Sequence, residues 1–406
     1  MARKSIRSHG KKPSKRLDQV VDDTKGIANL FFFFLTDTSK DIKMIIRHLL
    51  EMLTHKNVSG HGRDQALNLL IRNVPRKDLG IRDNTKSLDA IDFGLKKILK
   101  VGGQFPELPN CLPLTENTCL TASILLNKLY DDLRCDEERA TFRKICEEYI
   151  TWTLLPLALH GTDVGKIKAS HALAKIAAIS DPEIAFPGER IYEVVRPLVS
   201  LLNTERDGIQ NYEALMSLTN ISAKSEKLRQ KIIKEKALPE IECYMFEEHD
   251  QIRQAATECM CNMVVCKEVQ ERFVAEGNDR MKLLVLLCGE DDVKVQLAAA
   301  GAVAMLTASQ KELCHKLTRV TVQWLEILQR LCMHDNVEIQ HRGLVIVFNL
   351  MEADKEIAKK LIESEMLEIL TVISKLENNV KHQDAINMAR ECLTKAMDYS
   401  LIKPTS

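Results

Sequence analysis

The sequence predicts an all-α fold, an armadillo/HEAT-like solenoid wound as a right-handed superhelix. Three observations carry that expectation. A helix built from small residues recurs with a period in the low forties. Apolar residues fall at helical spacing over most of the chain. The composition also suits stacked helices: aromatics are only 5% of the 406 residues, and there are only 16 Gly and 11 Pro.

The recurring segments are 169–179, 212–221, 256–264, 299–306 and 343–351. Taking Lys175, Asn220, Asn262, Ala304 and Asn349 as equivalent points, successive intervals are 45, 42, 42 and 45 residues, the period of armadillo and HEAT units. Before each late copy runs an apolar helix, as at 281–288 or 322–332. A polar corner follows it, GlyGluAspAsp (289–292) or HisAspAsn (334–336). Ala and Gly in the repeated helix allow its neighbours to approach closely. A single unit of this kind cannot cover its own apolar face, so the units must stack, and the innermost helices then line a concave surface.

Taken in order, residues 1–46 form a basic, Phe-rich segment. Residues 1–16 hold seven Lys or Arg and no acid, which reads as a solvated, disordered tail, and the apolar run 27–35 is too short for a bilayer. Residues 47–151 contain amphipathic helical pairs punctuated by Pro75, Gly102, Gly103, Pro106, Pro109 and Pro113. Residues 152–406 hold the repeats.

Charge and motifs exclude several classes of function. Lys plus Arg and Asp plus Glu both number 57, so no net field draws the chain to nucleic acid or to a membrane. GlyThrAspValGlyLys (161–166) has one residue too few between its glycines for a phosphate loop, and Ile167 stands where a magnesium-binding hydroxyl belongs. His171, His315, His334 and His341 lack metal-ligand spacing. Asp and Glu at 290–292 read as helix-dipole partners. The twelve cysteines include no CxxC and read as reduced core residues of a cytosolic protein. No catalytic residue, metal or cofactor is expected.

Residues from Leu154 onward resemble the UCS domain of the animal myosin chaperones. The likeness rests on LeuLeuProLeuAlaLeu (154–159), AlaPheProGlyGluArg (185–190), TyrGluValValArgProLeuVal (192–199), AlaAlaThrGluCysMetCysAsnMet (255–263), GlnHisArgGlyLeuVal (340–345) and IleLysPro (402–404). GlyHisGlyArgAspGlnAlaLeuAsnLeuLeu (60–70) and LeuTyrAspAspLeuArgCysAsp (129–136) resemble that family's central domain, which makes 47–151 its remnant. LysIleCysGluGluTyrIle (144–150) and MetAspTyr (397–399) are similar to the striated-muscle member. The resemblance implies a co-chaperone that holds the myosin heavy-chain motor domain in its groove, in the muscle cytoplasm and at the sarcomere. It also implies Hsp90 as a partner, through a tetratricopeptide domain whose place residues 1–46 occupy without resembling it.

A Tyr and an Asn eight residues apart on a repeat helix mark the family's groove, and Tyr212 and Asn220 match that spacing. With the equivalent Asn262 and Asn349, and Glu258 one turn before Asn262, they make the expected protein-binding site. The alternative is an adaptor reading short peptide signals. Its ladder places Trp four residues before each Asn, where this chain has Met216, Glu258 and Val345.

The family carries a large block of helical repeats between its central and UCS domains, and here Thr151 runs straight into Trp152. Such a seam sets two apolar faces together that were not shaped for each other. The chain is therefore expected to melt below a version with the intervening repeats restored and to self-associate; light scattering and thermal melting of the two, side by side, check this.

Overall fold

A computed structural model describes residues 154–403, except 161–162, 204 and 377–379, together with the single residue Ala140. The expected segments 1–46 and 47–151 and the seam lie outside the described residues. The chain divides into two compact units at Leu201–Leu202.

In the first unit, α1 (Leu155–His160) and α5 (Val195–Val199) pack on α2 (Asp163–Ile179). Small residues cover the buried side of α2, with Ala169, Ala172, Leu173, Ile176 and Ala177 all inaccessible. Asp163–Lys166, from the stretch compared with a phosphate loop, open this helix. Asp181 then caps α3 (Pro182–Ala185), its carboxylate accepting from the Glu183 amide at 3.0 Å, and α4 (Arg190–Glu193) leads into α5.

The second unit is a stack of repeats. Its long helices are α6 (Gly208–Ser222), α9 (Asp250–Met263), α12 (Val293–Ser309), α15 (Val337–Ala353) and α18 (Gln383–Asp398), each packed on the next. Two shorter helices separate each pair: α7 (Glu226–Lys234) and α8 (Leu238–Tyr244), α10 (Lys267–Val274) and α11 (Arg280–Leu287), α13 (Lys311–Val320) and α14 (Trp324–Cys332), α16 (Lys355–Ile362) and α17 (Met366–Ser374). This is the three-helix armadillo unit. Sequence reading anticipates the second short helix and the long one; α18 and the first short helices come from the structure. Those first helices have a common design. Each is anchored by two buried apolar residues four apart, Leu228 and Ile232, Val269 and Phe273, Leu313 and Leu317, Ile357 and Leu361.

Three of the corners before the long helices are fastened twice, and the corner before α9 once, without a side-chain cap. Asp207, Asp292 and Asn336 cap α6, α12 and α15 by accepting from backbone amides of the first turn; Asp292 reaches the amides of Lys294 at 2.9 Å and Val295 at 3.2 Å. The expected helix-end role of the acidic corner is seen in that residue. The fourth residue after the cap then turns back to the preceding turn. The amides of Gln296 and Gln340 donate at 3.0 Å to the carbonyls of Cys288 and Cys332, where the preceding helix has no partner of its own to offer. Asn211 accepts from the Asn203 amide at 3.4 Å, and Arg253 donates to the Glu247 carbonyl at 2.9 Å.

Close packing of α15 depends on Gly343. A Cβ there would stand 2.9 Å from the Leu331 Cβ and 3.1 Å from the Cys332 amide, and the latter is backbone that cannot swing away. Gly343→Ala should therefore destabilise the protein by about 1–3 kcal/mol despite the better helix propensity of Ala. Urea unfolding checks this; an unchanged or raised midpoint would mean that the two helices separate at no cost.

Candidate protein-binding groove

The layer of long helices carries all five residues expected to bind a partner. Tyr212 and Asn220 are half-buried on α6, roughly 12 Å apart along its axis. Glu258 and Asn262 sit on α9, and Asn349 on α15. Glu258 and Asn262 line one cavity of about 440 Å³ with Thr219 of α6, Gln254 and Cys261 of α9, Lys294, Leu297 and Ala298 of α12, and Arg342 of α15. Tyr212, Asn220 and Asn349 are outside that lining.

Two of the asparagines also join repeats. The Asn262 amide donates to the Thr219 carbonyl at 3.0 Å, so α9 is tied to α6. The Asn349 amide donates at 3.0 Å to both the Ala304 carbonyl and the Thr307 hydroxyl, which ties α15 to α12. These bonds bridge neighbouring repeats. They fix the neighbouring helices against which any partner would be held.

Other layers are tied by the same means. Lys316 of α13 donates at 2.7 Å to the carbonyls of Phe273 and Ala275 at the end of α10. Arg280 of α11 forks onto Glu242 of α8, with Nε 2.6 Å from Oε1 and Nη2 3.1 Å from Oε2. Glu352 and Lys395 join α15 and α18 at 3.6 Å.

The cavity has a fixed wall of charge. Glu258 accepts from the Gln254 amide one turn earlier, at 2.8 Å. Opposite, the Arg342 guanidinium reaches back over α12 and donates to the Leu297 carbonyl at 2.6 Å. Gly301 makes this possible, because a Cβ there would come 2.7 Å from the Arg342 Nη1 and 3.1 Å from the Cys261 Sγ. Sequence reading passed over Arg342 and Lys294. It sought an aromatic and amide ladder, whereas the available signal is Gly301 one period before the basic residue that crosses it.

Cys261 borders the cavity as a neutral thiol. Burial pushes its pKa up to about 11, Glu258 acts in the same direction, and Arg342 opposes both. The buried Cys259 and Cys392 are pushed up to about 12 by desolvation, and Cys288 and Cys332 are raised further still. These side chains act as small apolar groups in the core, as expected; Cys243 alone among the described cysteines is exposed. Among the described residues, no group of His, Cys, Asp or Glu is arranged to hold a metal, and no helix is long and apolar enough to cross a membrane.

Comparison with protein-family models gives no match. Human "Protein unc-45 homolog B" is 40% identical, with 91% of this chain and 71% of the human protein aligned. The alignment runs over 662 positions, many more than this chain has residues, so the human protein holds internal sequence without a counterpart here. Among solved structures, "UNC-45 from Drosophila melanogaster" has 27% identity and a TM-score of 0.63, over 89% of this chain and 52% of that one. A further structure, "Molecular features of the UNC-45 chaperone critical for binding and folding muscle myosin", has 25% identity and a TM-score of 0.61, over 94% and 46%. The chain thus spans about half the length of these two solved proteins.

Removing the amide of Asn349 would leave the Thr307 hydroxyl and the Ala304 carbonyl without this partner. Asn349→Ala is expected to lower stability by about 1–3 kcal/mol, measured by chemical denaturation. A loss below about 0.3 kcal/mol would show that the inter-repeat bond contributes nothing net.

Proposed function

The chain belongs to the UNC-45 family, and on that premise we propose that it is a molecular co-chaperone whose long-helix layer holds the myosin motor domain and assists its folding and assembly in the muscle cytoplasm and sarcomere. The observation that carries this reading is the cavity in that layer, where Glu258 and Asn262 meet side chains from three other long helices. A surface assembled from several repeats suits an extended segment, because each repeat contributes one step along it. Tyr212 adds a broad apolar face with a hydroxyl, and Asn220 an amide that suits peptide backbone. The work proposed is holding, with no chemical step, and it needs no cofactor.

Hsp90 enters the proposal only as a partner of the family's tetratricopeptide domain; the corresponding place in this chain, residues 1–46, lies outside the described residues. An adaptor for basic peptide signals is disfavoured by the residues of the long helices. Met216, Glu258 and Val345 provide no aromatic clamp for a lysine stem, and Lys294 and Arg342 would repel its charge.

A buried hot spot contributes about 2 kcal/mol to an interface. The double variant Tyr212→Ala/Asn220→Ala is therefore expected to bind a muscle myosin motor domain roughly thirtyfold more weakly, and to lose suppression of its heat-induced aggregation while remaining folded. If the folded variant protects myosin as well as the parent does, this pair is not part of the groove.

A further inference from the structure

We propose that the cavity between α6, α9, α12 and α15 is a subsite for one acidic side chain of the bound polypeptide, with Lys294 and Arg342 receiving its carboxylate. This deepens the proposed function and rests on it.

Arg229, Lys231, Arg253, Arg272, Arg280 and Lys395 each face a carboxylate within ion-pair distance. Lys294 and Arg342, like several other cations of the second unit such as Lys227 and Arg330, have no such partner among the described residues, but these two line the same cavity. Glu258 in the same lining is engaged by Gln254. Two cations against one anion leave the lining one positive charge in excess, with only neutral polar groups from Thr219, Gln254 and Asn262 beside them.

Arg342 is also set in place before any ligand arrives. Its Nη1 is anchored on the Leu297 carbonyl, in the space that Gly301 leaves open. The guanidinium has five donors in a rigid fork, so the others remain for a carboxylate, and little side-chain freedom is lost on binding. Lys294 is exposed at the start of α12 and supplies a mobile point charge at the rim.

The size of the charge selects the ligand. A carboxylate brings one negative charge and balances the lining. A phosphate dianion would leave an excess negative charge near Glu258, and a basic side chain would meet two cations. Nucleic acid requires a continued run of cations, which Glu258 interrupts. Extended polypeptide carrying an Asp or Glu is the occupant that fits, its backbone amides facing Glu258.

The test uses the full chain and a muscle myosin motor domain, with affinities measured at low and high salt for the parent, Lys294→Gln, Arg342→Gln, the two together, Glu258→Gln and Tyr212→Ala/Asn220→Ala. An array of overlapping peptides from the motor domain, each in native form and with its acids changed to amides, is probed with the parent and the double-charge variant. The expected result is at least tenfold weaker binding for Lys294→Gln/Arg342→Gln, a flatter salt dependence, and tighter binding for Glu258→Gln. On the array, some peptides should lose the parent when their acids are neutralised and be insensitive to that change with the variant.

Arg342→Gln removes an inter-repeat bond, so melting is measured alongside; Lys294→Gln breaks no bond in the fold and keeps the test decisive. Binding by the double-charge variant within twofold of the parent, with the same salt dependence, overturns the subsite, and a retained effect of Tyr212→Ala/Asn220→Ala would then leave the groove standing. Failure of the parent itself to bind the motor domain overturns the proposed function, and the subsite with it.

Discussion

The packing of one long helix against the next sets the conditions for everything else in the second unit. Ala255, Ala256 and Cys259 of α9 and Ala298, Ala299 and Ala302 of α12 are buried, and their short side chains bring the helix backbones close. Close backbones allow polar side chains to reach across. Asn262 reaches the Thr219 carbonyl, Arg342 the Leu297 carbonyl and Asn349 the Ala304 carbonyl. Apolar contact alone would permit two smooth helices to slide, since burial depends on area and has no direction. A hydrogen bond does not. Each of these ties selects one register, and the spacing of groups along the binding face follows from that register.

Polar groups along this layer consequently carry two demands. Asn262 both fixes α9 on α6 and lines the cavity, and Arg342 both fixes α15 on α12 and presents charge. Substituting either residue changes the position of its neighbours as well as the surface, so loss of binding alone does not separate the two roles. Tyr212 and Lys294 differ, because no bond between repeats depends on them in the observed network. In a stack where each unit contacts mainly its neighbours, a lost tie weakens one junction and need not unfold the rest.

The all-α class, the repeat period and the position of the long helices other than α18 were legible in the sequence, because small residues recur at helical spacing where close crossing requires them. Asn262 and Asn349 were recognised as equivalent points for the same reason. The first short helices were not. Their signal is two to four buried apolar residues per helix, such as Leu313, Cys314 and Leu317, within a charged segment, and so short a pattern is easily lost among other helical spacings. The corner bonds of Gln296 and Gln340 were hidden too, since a glutamine four residues into a helix has many alternatives and only the third dimension shows the carbonyl waiting beside it. Arg342 was hardest to assign. Its partner groups lie one repeat back, on Leu297, 45 residues earlier, and above Gly301, and the repeat has to be imposed before the glycine and the arginine are seen to belong together.

Glu258 occupies the position one turn before Asn262 where a peptide-signal adaptor places Trp. The substitution changes what the groove can recognise. An indole clamps an aliphatic stem and leaves a cation to be neutralised further out, whereas Glu258 is itself charged and is held by Gln254. In the proposed groove, recognition at this point would come from charge and backbone hydrogen bonding, both of which are tolerant of side-chain shape. A groove with that tolerance suits a partner whose chain is presented incompletely folded, where backbone is accessible and the order of side chains varies. The same helix scaffold, with one residue changed per repeat, would thus be turned from reading a defined signal toward holding many segments of one large domain.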